Sequence, residues 1–141
     1  MTSRIVMDTN VLVSALRSRT GASFRLLSRI DGGKFSVCIS VPLVLEYEAA
    51  TKRMSKAIGL AYSDIDDVLD YICLVADRYK VYYLWRPLLR DPRDDMVLEL
   101  AVASNADAII TYNKADFKGS EQFGVRIASP KEFLQQIGEL P

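Results

Sequence analysis

The chain has 141 residues, half of them hydrophobic and 26% charged, which suits one compact domain spanning residues 1–141 with a single core. Lysine plus arginine and aspartate plus glutamate both total 18, so bulk charge alone does not hold the chain on nucleic acid, and any basic patch must be local. Histidine is absent, which removes Ser-His-Asp and Cys-His catalysis, histidine bases and almost every zinc site, and leaves carboxylates, lysine, serine, tyrosine or hard metal ions.

In chain order, "RIVMD" (4–8) is short, apolar and β-branched, and predicts a buried strand. "NVLVSALRS" (10–18) has helical spacing, and "GASFRLLSRID" (21–31) predicts a second helix stopped by Gly32-Gly33. "KFSVCIS" (34–40) is the second strand, and Pro42 opens the helix "PLVLEYEAATKRM" (42–54). "SDIDDVLDYICLVADRYK" (63–80) is a helix with Ser63 as cap and Asp66 three residues on, as in a capping box. "VYYLW" (81–85) predicts a third strand.

"DPRDDMVLELAVASNA" (91–106) reads as a turn, an acidic helix start and a helix. "DAIITYN" (107–113) and "GVRIAS" (124–129) are strands, and "PKEFLQQIGEL" (130–140) closes the chain as a helix. Such alternation predicts an α/β fold, a mainly parallel sheet covered by helices on both faces. Cys38 and Cys73 lie in apolar runs and read as core thiols of a reducing compartment. Asp8 interrupts the first apolar stretch too early for a signal peptide, and no run approaches the roughly 18 residues of a membrane helix, so the cytoplasm is expected.

In an open parallel sheet, ligands bind beyond the carboxyl ends of the strands. Asp8 with Thr9 and Asn10 follows the first strand, Glu46 lies beyond the second, and Asn113 and Asp116 follow "DAIITYN". Asp91, Asp94 and Asp95 open the preceding helix. Each acid has an ordinary reading: Asp8 as a helix cap, Glu46 paired with Arg53, Asp94 and Asp95 on a helix dipole, Asp116 in a turn, Asp91 as a turn starter. Together at one rim they would repel one another, and a divalent cation relieves that repulsion. Oxygen donors without histidine select Mg²⁺ or Mn²⁺, which serve phosphodiester hydrolysis. Arg17, Arg19, Arg25, Arg29, Arg86, Arg90, Arg93, Lys114 and Lys118 include candidates to hold phosphates, and Tyr82, Tyr83 and Trp85 to stack bases, although solvated charge and core packing explain them as well.

The segments "VMDTNVLVSAL", "ISVPLVLEYE", "DPRDDMVLELA", "ITYNKADFKG" and "FGVRIASPKEFL" resemble the PIN domain, in particular the VapC-like toxin ribonucleases of toxin–antitoxin pairs. The resemblance implies a three-layer α/β/α sandwich around a mainly parallel sheet of four to five strands. It implies an Mg²⁺- or Mn²⁺-dependent endoribonuclease cutting single-stranded or structured RNA, a cognate antitoxin and a homodimer. Its catalytic acids would be Asp8, Glu46, Asp94 and Asp116, with Asp8, Asp94, Asp95 and Asp116 as candidate metal ligands. Asp94 fits the acid of the "DPxD" stretch, while counting back from Thr111 allows Asp95. Thr9, Asn10, Thr111 and Asn113 would orient the carboxylates. Asn113 stands where many members carry an aspartate.

Other readings have weaker support. A haloacid-dehalogenase-type phosphatase needs an aspartate at position 10, where Asn10 stands, and a receiver domain needs an acidic pair ahead of Asp8. A Rossmann domain needs a glycine-rich turn after the first strand. A catalytically weak or inactive PIN-like module that binds RNA or a protein remains as the alternative.

Overall fold

A computed structural model describes residues 2–81 and 89–141. The chain runs β1 (Ser3–Met7), α1 (Thr9–Arg17), α2 (Ala22–Ser28), β2 (Phe35–Ile39), α3 (Val41–Arg53), α4 (Ser55–Ile58) and α5 (Tyr62–Val75). It continues through β3 (Asp77–Arg78), α6 (Pro92–Ala103), β4 (Ala108–Ile110), two 3₁₀ turns (Lys114–Phe117 and Ser120–Phe123), β5 (Arg126–Ala128) and α7 (Pro130–Gln136). The five strands form one sheet in the order β3-β2-β1-β4-β5, and every pairing is parallel. Ile5 lies opposite both Val37 and Ala108, which makes β1 the central strand.

Ile5, Val6 and Met7 of β1 are fully buried, as are Ala108, Ile109 and Ile110 of β4, because helices cover both faces. On one side α6 packs against β1, β2 and β4, while α1 packs on α2 and α3, α3 on α5, and α2 on α7. Phe35 and Phe133 meet edge to face at 5.5 Å and close the core near α7. Cys38 and Cys73 are both free thiols.

The helix of residues 63–80 ends at Val75, and β3 is the exposed pair Asp77–Arg78, held by pairing of Cys38 and Ile39 with it. Of the expected strand at 81–85, Val81 is in no strand and residues 82–85 lie outside the described residues. The cap of α5 is Ala61 rather than Ser63, because the Asp64 carboxylate reaches back to accept the Ala61 N–H at 3.1 Å. Helix α2 stops at Ser28, ahead of the double glycine, whose Gly33 takes the left-handed φ of 84° leading into β2.

The sheet order places the topological switch between β1 and β4: the chain winds from β1 toward β3, then returns to β4 on the other side of β1. Residues that follow β1 and β4 therefore face one crevice.

Candidate active-site cleft

That crevice is a cleft of about 560 Å³ whose lining includes Asp8, Glu46, Asp94, Asn113 and Asp116. Four acids far apart in sequence are thus brought together. Asp8 caps α1 at the end of β1, Glu46 comes from α3, Asp94 from the first turn of α6, and Asp116 from the 3₁₀ turn after β4.

Asp8 is the most constrained of the four. Its backbone N–H donates to Ile110 at 2.9 Å, which ties it to β4. One carboxylate oxygen accepts the Thr9 N–H at 2.8 Å and the other accepts the Thr111 hydroxyl at 2.8 Å. The Thr111 oxygen in turn accepts the Asn113 N–H at 3.0 Å and the Asn10 side-chain amide at 3.4 Å. Tyr47, fully buried one residue after Glu46, donates its hydroxyl to the Met7 carbonyl at 2.5 Å. The helix carrying Glu46 is so pinned to the strand end carrying Asp8.

The electrostatics are unfavourable to anions. Burial raises the Asp8 carboxyl above its ordinary value; the Thr111 and Thr9 hydrogen bonds oppose this, and the negative charges of Asp116 and Glu46 add to it. Asp94 is pushed up to about 7, first by burial and then by Asp8, Asp116 and Asp91. The cleft lining holds five acids (Asp8, Glu46, Asp91, Asp94 and Asp116) against Arg17, Arg53 and Arg93.

The remaining candidates divide clearly. Thr9, Asn10 and Arg17 line the cleft. Asp95, one residue from Asp94, turns into the core and accepts the Leu89 N–H at 2.8 Å, holding the approach to α6. Lys114 is held by an ion pair to Glu132 at the start of α7. Lys118 is exposed and outside the cleft lining. Asp91 caps α6 through the Arg93 N–H at 2.9 Å, as its turn-starter reading expects, and also reaches the cleft. The expected Glu46–Arg53 pair is replaced: Arg93 approaches Glu46 at 3.9 Å while pairing with Asp91 at 3.0 Å. Sequence reasoning gave Arg53 no place in the cleft, although its i+7 spacing from Glu46 puts both on one helix face. Tyr82, Tyr83, Trp85 and Arg86 lie outside the described residues.

The donor set suits a hard divalent cation: four carboxylates share one cleft, and two of them have a pKa raised first by burial and then by the others' charge. Among the described residues, however, no three such side chains are placed to hold a metal ion as they stand. This arrangement fits Mg²⁺, which takes one or two carboxylates and keeps several waters, and does not fit a closed protein cage.

Comparison with known proteins agrees with this fold. The PIN domain family matches residues 4–115, well over half of the chain. No curated protein matches the sequence. Among solved structures, a chain of VapBC2 from Rickettsia felis, bound to a DNA fragment from their promoter, superposes with a TM-score of 0.61. It is 15% identical, over 88% of this chain and 98% of that chain, a likeness of fold. With its central parallel sheet, its acids at the switch point and the family match over β1 to β4, this chain belongs to the PIN domain family.

Proposed function

We propose that the chain is a metal-dependent endoribonuclease, the toxin of a toxin–antitoxin pair. The observation that carries this reading is the gathering of Asp8, Glu46, Asp94 and Asp116 in one cleft, where Asp8 and Asp94 are held at raised pKa. Asp8 and Asp94 would hold Mg²⁺ or Mn²⁺. When bound, the ion would acidify water and stabilise charge on the phosphoryl oxygens. Thr111 fixes the Asp8 carboxylate in one orientation through its 2.8 Å hydrogen bond, so that little reorganisation is needed at the moment of reaction. Glu46 and Asp116, which share the cleft with Asp8, would accept a proton from water. The products would carry a 5′-phosphate and a 3′-hydroxyl.

A protein antitoxin, a homodimer and a cytoplasmic setting go with this reading. Val41, Leu45 and Leu74 are exposed apolar side chains of the kind such contacts cover. None of the described helices is long and apolar enough to cross a membrane.

Labelled single-stranded RNA with Mn²⁺, with and without chelator, tests the chemistry. Wild type should cut only with metal, and folded Asp8→Asn should not cut. Equal turnover by the two proteins would rule the reading out. One observation favours a second reading, a binding module without turnover: the acids do not close on a metal as they stand. RNA binding without metal-dependent cleavage by the wild type would select it.

A further inference from the structure

The acidic end of the cleft continues between α1 and α3, and its far end is basic. Asn10, Val13, Ser14 and Arg17 line it from α1, and Glu46, Ala50 and Arg53 from α3. These are i, i+3, i+4, i+7 and i, i+4, i+7 spacings, so each helix lays a single stripe along the cleft. Seven residues cover about 10 Å of helix axis. Arg17 and Arg53 therefore stand two turns beyond Asn10 and Glu46, and both are exposed.

Several other cations are neutralised in place. Lys52 pairs with Glu48 and Asp66, Arg29 and Lys34 pair with Glu139, Lys114 with Glu132, and Arg93 with Asp91. Among the described residues, Arg17 and Arg53 have no acidic partner within ion-pair distance. Two unneutralised guanidiniums thus line the same cleft as the carboxylates, about 10 Å of helix away from them.

We propose that Arg17 and Arg53 form a phosphate subsite for single-stranded nucleic acid, holding a phosphate further along the backbone than the one at the carboxylates. The proposal deepens the nuclease reading and rests on it for the direction of the strand. A guanidinium fork grips two phosphate oxygens and reads no base, so the subsite sets register and not sequence. Phosphates of a duplex lie on its convex outside; two positions along one cleft are reached by a flexible single strand. Val13, Ser14 and Ala50 line the stretch between and offer no charge to repel the backbone.

The test is binding of fluorescein-labelled decauridylate in EDTA, followed by anisotropy across a salt series. Each phosphate contact removed lowers the slope of log affinity against log salt by about 0.7 for a single strand. Arg17→Gln with Arg53→Gln should lower the slope by at least that amount, while Lys131→Gln, a charge removed on α7 outside the cleft lining, should leave it unchanged. A folded double variant with the wild-type slope overturns the proposal, and so does a wild type that does not bind the strand. Cleavage in Mn²⁺ is scored separately. Binding with the expected slope change but no cleavage keeps the subsite and removes the nuclease reading; cleavage with an unchanged slope does the reverse.

Discussion

Carboxylates in two parts of the molecule are treated in opposite ways. Glu132, at the first turn of α7, is held down to about 2 by the Lys114 ion pair and by the Ser129 backbone N–H it accepts at 2.8 Å. Asp94, at the first turn of α6, is pushed up to about 7 by burial and by Asp8, Asp116 and Asp91. Both are acids in a favourable helix position, where the dipole offers each a similar small benefit. The difference is what the tertiary structure adds: a cation for Glu132, further anions for Asp94. On the proposed reading, the positive charge that Lys114 supplies to Glu132 would come to Asp94 from outside the chain.

The strongest way to break this comparison is at Asp8. If the cleft acids act as a unit on a metal, Asp8→Asn lowers the RNA cleavage rate by roughly 10³-fold or more, with the circular dichroism melt preserved. Next in size is the metal itself. A cation that binds the folded chain and not the unfolded one stabilises it by about 2.7 kcal/mol at a hundred times its dissociation constant. The melting temperature should therefore climb with added Mg²⁺ or Mn²⁺ in wild type and stay flat in Asp8→Asn. A wild-type melt indifferent to both ions would leave the repulsion in the cleft unexplained.

Much of this site follows from the strand-end rule applied to a parallel sheet, and the sequence announces that sheet through apolar β-branched runs such as Ile5–Val6 and Ile109–Ile110. Two features escape such reading. Strand β3 is Asp77–Arg78, an exposed polar pair with no strand pattern; its conformation comes from pairing with β2 across the chain. The choice between Asp94 and Asp95 is equally hidden, since neighbours on a helix point about 100° apart and only the packing of α6 against the sheet says which faces inward. Arg53 is missed for the same reason, because its place in the cleft depends on how α3 is rotated against α1.

Asp94→Asn sharpens the comparison at smaller scale. A carboxyl with a raised folded pKa favours the native state below about 3.8, and that benefit is lost as pH rises through about 7. The asparagine removes this loss. Partial exposure and solvent screening reduce the effect to about 1 kcal/mol. The variant should melt higher than wild type at pH 8 without metal, while cutting RNA more slowly. Gain in stability with loss of function at one position is the signature of a site held under electrostatic strain. A variant that melts lower at pH 8 would mean that Asp94 is a structural cap.

Glu132→Gln tests the other side and should show the smallest effect, with the opposite pH signature. Its folded pKa lies below the ordinary 4.5, so its contribution is complete above that value and is lost as pH falls through about 2. The side chain is nearly half exposed, and an exposed pair with a cap bond contributes about 0.5–1 kcal/mol. The variant should melt slightly lower than wild type at pH 7, with the gap closing as the solution is acidified. Glutamine keeps an oxygen for the Ser129 N–H, so the loss isolates the charge on Lys114 from the cap itself. Were the gap instead to widen toward acid, Glu132 and Asp94 would respond to pH in the same sense, and the contrast between a partnered and an unpartnered helix-start acid would have no basis.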